Sequence, residues 1–207
     1  PDCAPYSLDA MAAAVARAMQ PVAPSYAVAG WSLGGAVALR MAIDHADAVS
    51  HVITLASSPR FLRTEDWAHA TVPHALELLC SGLERDYAGT LAQFFELNLA
   101  AKYPGLSHEL ATLAERRPAP TATALNHGIA LTSGVDLRAE VMRIRAPLLA
   151  ISGRLDRLSY SQSSAWLASA TDGTHVDMPH SAHAPHLSNG AECAEAIIQH
   201  LTMSGKT

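Results

Sequence analysis

A serine flanked by glycines lies where a short apolar run gives way to a helical pattern. Gly30-Trp31-Ser32-Leu33-Gly34 matches G-x-S-x-G, a motif that presents a serine hydroxyl on a sharp strand-to-helix turn. The glycines two residues to either side are expected to avoid collisions with the adjoining strand and helix. The backbone N–H of Leu33, at the start of the next helix, is placed to stabilise an oxyanion. The motif predicts Ser32 as a nucleophile; the alternative is a glycine-rich turn whose serine only caps the helix.

A serine nucleophile needs a base, and the base needs a carboxylate that orients it. With this type of turn the expected chain order is serine, then an acidic residue, then histidine. Asp156 follows the apolar run PLLAISG, just past the C-terminal end of a predicted strand, which is where parallel sheets bind ligands. The alternative is an ordinary turn aspartate, and Asp136, Asp172 and Asp177 are rival carboxylates.

The base is expected in the segment MPHSAHAPHL, which holds His180, His183 and His186. Their spacing also suggests a metal site, but the two prolines of the segment prevent a regular helix from presenting all three rings together. We therefore expect no metal. His183 lies in a loop of small residues, S-A-H-A-P, from which an imidazole can reach the serine. We predict His183 as the base and the other two histidines as surface or pocket-wall residues.

The remaining sequence predicts an α/β fold with a parallel sheet, because strands and helices alternate. Strands are predicted at Tyr26–Gly30, Val49–Ala56, Pro147–Gly153 and His175–Met178. Helices are predicted at 7–19, 34–45, 74–83, 87–101, 107–116, 122–132, 161–170 and 191–203. The four helices between residues 60 and 136 interrupt the alternation. We therefore assign residues 1–59 and 137–207 to the core, and residues 60–136 to a four-helix insertion that covers one end of the sheet.

Composition excludes several other classes of protein. The chain has 207 residues and a formal charge of −5 with no basic stripe, so nucleic acid and anionic membrane are not expected partners. No apolar run approaches the roughly 20 residues that span a bilayer. The three scattered cysteines do not suggest a disulfide framework, which favours a reducing, cytoplasmic location. No cofactor is expected.

The combination of several motifs resembles the BioH-type pimeloyl-[acyl-carrier protein] methyl ester esterases, which have the α/β-hydrolase fold. The motifs are GWSLGG, VITLASSP with an aromatic residue just after it, VDLR, P-L-L-x-x-x-G-x-x-D and A-H-A-P, and the resemblance runs from about Ser7 to Leu201. It implies hydrolysis of the methyl ester of pimeloyl-carrier protein in biotin synthesis, with release of methanol. Ser32 would form an acyl-enzyme, His183 would transfer the proton, and Asp156 would hold the imidazole.

The resemblance also implies a set of substrate contacts. Trp31, next to the nucleophile, would line the acyl pocket. The segment GTLAQFFELN resembles the lid of the family, so the candidate contacts with the acyl chain are Phe94, Phe95, Leu97 and Asn98. For the two phenylalanines the alternative is plain packing between helices.

Two departures from the family pattern modify these expectations. Gly89 and Gln93 stand where the family has basic lid residues that dock the acidic carrier protein, which leaves Lys102, Arg116 and Arg117 as basic candidates. In addition, nothing before Ser7 matches the first strands of the family or its H-G motif, whose loop supplies a second oxyanion N–H. We expect that the chain lacks the N-terminal part of a longer hydrolase, and that its first strand has an exposed apolar edge.

Two other functions are compatible with the same residues. One is a broader esterase, thioesterase or lipase-like hydrolase that acts on small acyl esters. The other is a non-catalytic ligand-binding scaffold with the same fold, in which the pocket persists and the three polar residues are dispensable. Relatives of this fold that use an aspartate nucleophile are disfavoured, because Ser32 occupies the nucleophile position.

Overall fold

Four parallel strands form a single sheet in the order β1-β2-β3-β4. The computed structural model describes residues 5–98, 112 and 120–202. The strands are β1 (Tyr26–Trp31), β2 (Val49–Leu55), β3 (Leu148–Gly153) and β4 (Thr174–Met178), which confirms the four predicted strands. Because the strands are parallel, their carboxyl ends meet at one edge of the sheet, which is where β1 and β3 lead into the segments of Ser32 and Asp156.

Helices connect the strands and cover the sheet. They are α1 (Leu8–Met19), α2 (Leu33–Asp44), α3 (Pro73–Arg85), α4 (Tyr87–Asn98), α5 (Ala122–Gly134), α6 (Ser161–Ala170), α7 (Pro185–Ser188) and α8 (Gly190–Thr202), with a 3₁₀ turn at Val141–Arg143. The Ser7 side chain accepts a hydrogen bond from the N–H of Ala10 at 3.1 Å, so this serine caps α1. The predicted helix at 107–116 lies outside the described residues except for Thr112.

The core has a layer on each face of the sheet, as a parallel sheet requires. All six residues of β3 are buried. On one face Val52 and Leu148 pack with Leu39 of α2, and on the other Ile53 and Ile151 pack near Cys193 of α8. The alternation of neighbouring residues along β2 explains why Val52 and Ile53 belong to different layers.

A buried arginine links α2 to the chain that leads into β3. Arg40 donates hydrogen bonds to Asp44 at 2.8 Å and to Glu140 at 2.9 Å. Its side chain is only 9% exposed, so the two carboxylates compensate a cation that would otherwise be costly to bury. This contact holds the segment 137–147 against the helix that follows Ser32.

The residues between β2 and β3 include three described helices, α3, α4 and α5. Residues 60–72 are irregular, with single bridges between Leu62 and Thr71 and between Thr64 and Trp67. The division of the chain into a core and an insertion at residues 60–136 stays a prediction. Within the described ranges, no helix has both the length and the apolar character needed to cross a membrane.

Replacing Leu39 by alanine should lower the free energy of unfolding by about 2–5 kcal/mol, because the side chain is 0% exposed and its loss leaves a cavity beneath the sheet. Leu201→Ala, at a leucine that is 41% exposed in α8, is the matched control. Urea unfolding followed by circular dichroism measures both changes. Similar losses for the two variants would contradict the assignment of Leu39 to the core.

Candidate active site

Ser32 occupies a strained turn between β1 and α2. Its backbone has φ 53° and ψ −123°, a positive φ that residues with a side chain rarely adopt. The N–H of Ser32 donates to the carbonyl of Leu55 at 3.0 Å, and the hydroxyl of Ser57 donates to the carbonyl of Ser32 at 2.7 Å. Both peptide groups next to the serine are therefore held by the end of the neighbouring strand β2.

The glycines around Ser32 are needed to different degrees. A Cβ at Gly30 would overlap the carbonyl oxygen of Gly34, and a Cβ at Gly35 would overlap the side chain of Ser57. A Cβ at Gly34 would meet no described atom within 4 Å. The expectation that glycine avoids a collision is confirmed at Gly30 and is wrong at Gly34, because Gly35 is the residue that faces β2.

The structure brings together the three side chains predicted as the catalytic set. The Nε2 atom of His183 lies 3.0 Å from the Oγ atom of Ser32. The Nδ1 atom of His183 lies 2.9 Å from the Oδ2 atom of Asp156. The histidine is 3% exposed and the aspartate 4% exposed, so the contact between these two side chains is shielded from water. If Nδ1–H donates to the carboxylate, Nε2 is free to accept the hydroxyl proton of Ser32.

The turn after β3 holds the Asp156 carboxylate in place. Its Oδ1 atom accepts hydrogen bonds from the N–H groups of Leu158 at 2.8 Å and Ser159 at 3.1 Å. The other oxygen is thereby left to the imidazole of His183. The two hydrogen bonds from backbone N–H groups fix the orientation of the carboxylate.

A close approach of two backbones places His183 next to this turn. A Cβ at Gly153, the last residue of β3, would overlap the carbonyl oxygen of Ala182. The N–H of Leu155 donates to the carbonyl of Ser181 at 2.9 Å, which ties the two loops together. Glycine at the end of β3 therefore lets the histidine loop lie against the aspartate turn.

The rival carboxylates have other partners. Asp136 forms ion pairs with Arg138 and Arg60, and the hydrogen bond from Arg138 is the main reason that the pKa of Asp136 falls to about 2. Asp177 accepts hydrogen bonds from Arg154 at 2.7 Å and Ser161 at 3.0 Å. Neither carboxylate is the one that contacts His183.

The other candidates from the sequence are Asp172, His180 and His186. Asp172 follows α6 in a turn with a positive φ. His180 is exposed, as predicted. His186 is half-buried against Trp31, with 5.1 Å between the ring centroids. Burial lowers the pKa of His186, with a smaller contribution from His183. Among the described residues no group of three or more histidine, cysteine or acidic side chains has the arrangement of a metal site.

Leu33 is the first residue of α2, as its predicted role requires. The first N–H groups of a helix have no partner within the helix, and the helix dipole adds positive potential at this end. Leu33 also lines the same cavity as Ser32 and His183. Its N–H is thus available near the position where negative charge would develop on a carbonyl oxygen.

A largely apolar cavity of about 340 Å³ opens onto Ser32 and His183. Its apolar lining includes Phe61, Leu62, Leu76, Leu79, Phe94, Leu125, Ile129 and Leu158. Sequence analysis did not single out most of these residues. The signal was present in α5, because Leu125, Gly128, Ile129 and Thr132 recur at the spacing of one helical face and all line the cavity.

The residues predicted to contact the acyl chain have different surroundings in the structure. Phe94 lines the cavity, with its ring centroid 6.3 Å from that of His183. Phe95 is not among the described lining residues, and its ring centroid lies 6.0 Å from that of Phe94, its neighbour in α4. Leu97 and Asn98 end α4, and their side chains lie outside the described part of the structure.

Trp31 does not match its predicted position in the pocket. Its indole Nε1–H donates to the carbonyl of His183 at 2.6 Å, and the residue lines a separate concavity between α1 and the outer edge of β1. Trp31 is not among the described residues that line the cavity at Ser32, although its ring centroid lies 5.6 Å from that of His183. The tryptophan contacts the histidine loop through this ring and through its hydrogen bond to the backbone.

Comparison with known proteins agrees with this fold. The model of the alpha/beta hydrolase family matches residues 2–196. The chain belongs to the alpha/beta hydrolase family. This confirms the fold class predicted from the sequence.

Relatives and solved structures extend the comparison. The chain is 34% identical to a pimeloyl-[acyl-carrier protein] methyl ester esterase of Nitrosomonas europaea, with 90% of this chain and 74% of the relative covered. It is 37% identical to the protein of that name from Stenotrophomonas maltophilia, with 90% and 72% covered. An esterase from Exiguobacterium antarcticum has the same fold, with a TM-score of 0.88, 18% identity, and 98% of this chain and 76% of that chain covered. The resemblance seen in the motifs is confirmed.

Gly30→Ala and Gly34→Ala should change stability in opposite directions. The first adds a methyl group that collides with the backbone of α2, and its unfolding midpoint in urea should fall. The second adds a methyl group in open space within a helix, where alanine is favoured over glycine by about 1 kcal/mol. Urea unfolding of both variants measures the difference. A loss of stability in Gly34→Ala equal to that in Gly30→Ala would contradict the described turn.

Proposed function

We propose that this protein is a serine carboxylesterase that works through an acyl-enzyme on Ser32. The observation that carries the proposal is the continuous pair of contacts from Ser32 Oγ to His183 Nε2 at 3.0 Å and from His183 Nδ1 to Asp156 Oδ2 at 2.9 Å. This arrangement provides a nucleophile, a base, and a carboxylate that orients the base.

The reaction follows from these contacts. His183 accepts the hydroxyl proton as Ser32 attacks the ester carbonyl, and the N–H of Leu33 stabilises the oxyanion. Asp156 stabilises the imidazolium that forms. His183 then donates the proton to the leaving alkoxide, which departs as the alcohol, and a water molecule hydrolyses the acyl-enzyme by the same steps. Side chains and water carry every proton transfer in this scheme, so the proposal includes no cofactor.

The proposed substrate is the methyl ester of a pimeloyl chain on acyl-carrier protein, in biotin synthesis. Two observations support this choice: the names of the relatives, and the apolar lining of the cavity at Ser32, which suits a chain of methylene groups. A cytoplasmic location belongs to the same proposal and is supported by Cys80 and Cys193, which are free thiols.

We propose that the insertion at residues 60–136 acts as the lid of this cavity. Helices α3, α4 and α5 all contribute lining residues, such as Leu76, Phe94 and Ile129. Phe94 is the lid residue proposed to contact the acyl chain next to His183. The roles of Phe95, Leu97 and Asn98 in substrate binding stay predictions.

A second candidate is hydrolysis of small acyl esters without carrier-protein docking. Charge favours this candidate, because α3 and α4 together contain one lysine or arginine, Arg85, against the acidic residues Glu77, Glu84 and Glu96. An acidic carrier would be repelled by this surface. The predicted docking residues Lys102, Arg116 and Arg117 lie outside the described residues.

Asp156→Asn should lower kcat for methyl pimeloyl-carrier protein by about 10⁴, because the amide holds the imidazole in the wrong tautomer. Ser32→Ala should remove turnover, since the nucleophile is gone. Asp136→Asn is the matched control and should keep kcat close to that of the wild type, because Asp136 pairs with arginines instead of His183. Methanol release under saturating substrate measures all three. Full activity of Ser32→Ala would contradict the proposal. If the wild type shows no turnover, the protein is instead a non-catalytic scaffold.

The two candidate substrates differ in their dependence on salt. If an acidic carrier docks on the protein, kcat/KM for methyl pimeloyl-carrier protein should exceed that for dimethyl pimelate by at least about tenfold, and the advantage should shrink as ionic strength rises. If the protein takes small esters only, the two values should be similar at all salt concentrations. The second result would contradict carrier-protein docking and leave ester hydrolysis intact.

A further inference from the structure

A glycine lies in the middle of α5, where its presence weakens the helix. Gly128 is at the centre of Ala122–Gly134. Glycine in the interior of a helix is destabilising relative to alanine, because it loses more backbone freedom on folding. Its backbone does not have a positive φ, since none of the described glycines does. The conformation of the chain at this position therefore does not require a glycine.

Packing between helices does not require a glycine at this position either. A Cβ at Gly128 would meet no described atom within 4 Å. Two glycines of the neighbouring helices differ in this respect. A Cβ at Gly82 of α3 would overlap the side chain of Thr90, and a Cβ at Gly89 of α4 would overlap the side chain of Asp86. Gly128 thus leaves space that the described part of the protein does not fill.

Gly128 belongs to the wall of the cavity that opens onto Ser32. It lines this cavity together with Ala124, one turn earlier, and Thr132, one turn later. These three residues cover about 12 Å of the helix axis, at about 1.5 Å per residue. The Oγ1 atom of Thr132 donates to the carbonyl of Gly128 at 3.0 Å, so this hydroxyl is used within the helix. The cavity therefore extends along at least two turns of α5, past a position that has no side chain.

We propose that Gly128 is a specificity-determining residue, whose missing side chain leaves room for the acyl chain to extend along α5. The proposal rests on the esterase function proposed above and adds which residue sets the length of acyl chain that the cavity accepts. Chains that extend past Gly128 fit because no side chain projects from that position. The same room explains why a residue that weakens the helix lies at its centre.

The test uses methyl esters of unbranched acids, from acetate to decanoate, so that only the acyl chain varies. The quantity measured is kcat/KM for each ester divided by kcat/KM for methyl acetate, from methanol release. The variants are Gly128→Ala and Gly128→Leu, and urea unfolding of each is measured in parallel. Gly134→Ala is the matched control. It ends the same helix, a Cβ there also meets no described atom within 4 Å, and Gly134 is not among the described residues that line the cavity at Ser32.

In Gly128→Ala the ratio for the long esters should fall at least about tenfold, because one methyl group in an apolar pocket changes kcat/KM by about 10- to 200-fold. In Gly128→Leu the fall should be larger and should begin at shorter acyl chains. Gly134→Ala should keep the wild-type ratios. Gly128→Ala should also unfold at a higher urea concentration than the wild type, since alanine favours the helix. A gain in stability together with a loss of activity on long chains separates lost room from damage to the fold.

Ratios that stay at the wild-type values in both Gly128 variants, at every chain length, would overturn the proposal. A lower urea midpoint for Gly128→Ala than for the wild type would also overturn it, because packing would then require the glycine. Either result, with the esters hydrolysed by the wild type, leaves the esterase function intact. A wild-type protein that hydrolyses none of these esters would overturn the esterase function and, with it, this proposal.

Discussion

The site depends on one constrained backbone position, Ser32. A residue with a side chain holds a positive φ only when its surroundings compensate the strain. Here the compensation comes from Leu55, at the end of β2, and from Ser57, just after it, which bind the two peptide groups of the serine. Gly30 and Gly35 allow β1, α2 and the segment after β2 to lie in close contact. The buried layers on both faces of the sheet keep these three elements in place. Packing of the core thus fixes the direction of one hydroxyl group.

A glycine and backbone hydrogen bonds also position the other two residues of the site, Asp156 and His183. Gly153 ends β3 without a side chain, and the histidine loop lies directly against it. The contact brings His183 next to a carboxylate that two backbone N–H groups already orient. The base is therefore positioned by backbone contacts from two adjacent strand ends, and the indole of Trp31 adds a hydrogen bond to the carbonyl of His183. The nucleophile follows β1 and the base follows β4, and β2 and β3 lie between these two strands in the sheet.

Much of this could be predicted from the sequence. The four strands, the turn of Ser32, and the chain order of Asp156 and His183 follow from local patterns, because strand ends and turn residues are local properties. The side of the strand to which Trp31 projects, and the glycine that actually faces β2, depend on how elements pack, which a motif does not encode.

The central claim is that Ser32 is a nucleophile activated by His183 and Asp156. The most direct measurement is mass spectrometry of the protein after incubation with an alkyl fluorophosphonate, which forms a stable adduct with an activated serine. We expect one phosphonyl group per chain, located on the peptide that contains Ser32, and much slower labelling when Asp156 is replaced by asparagine. An unlabelled protein, or an adduct on a residue other than Ser32, would contradict the account.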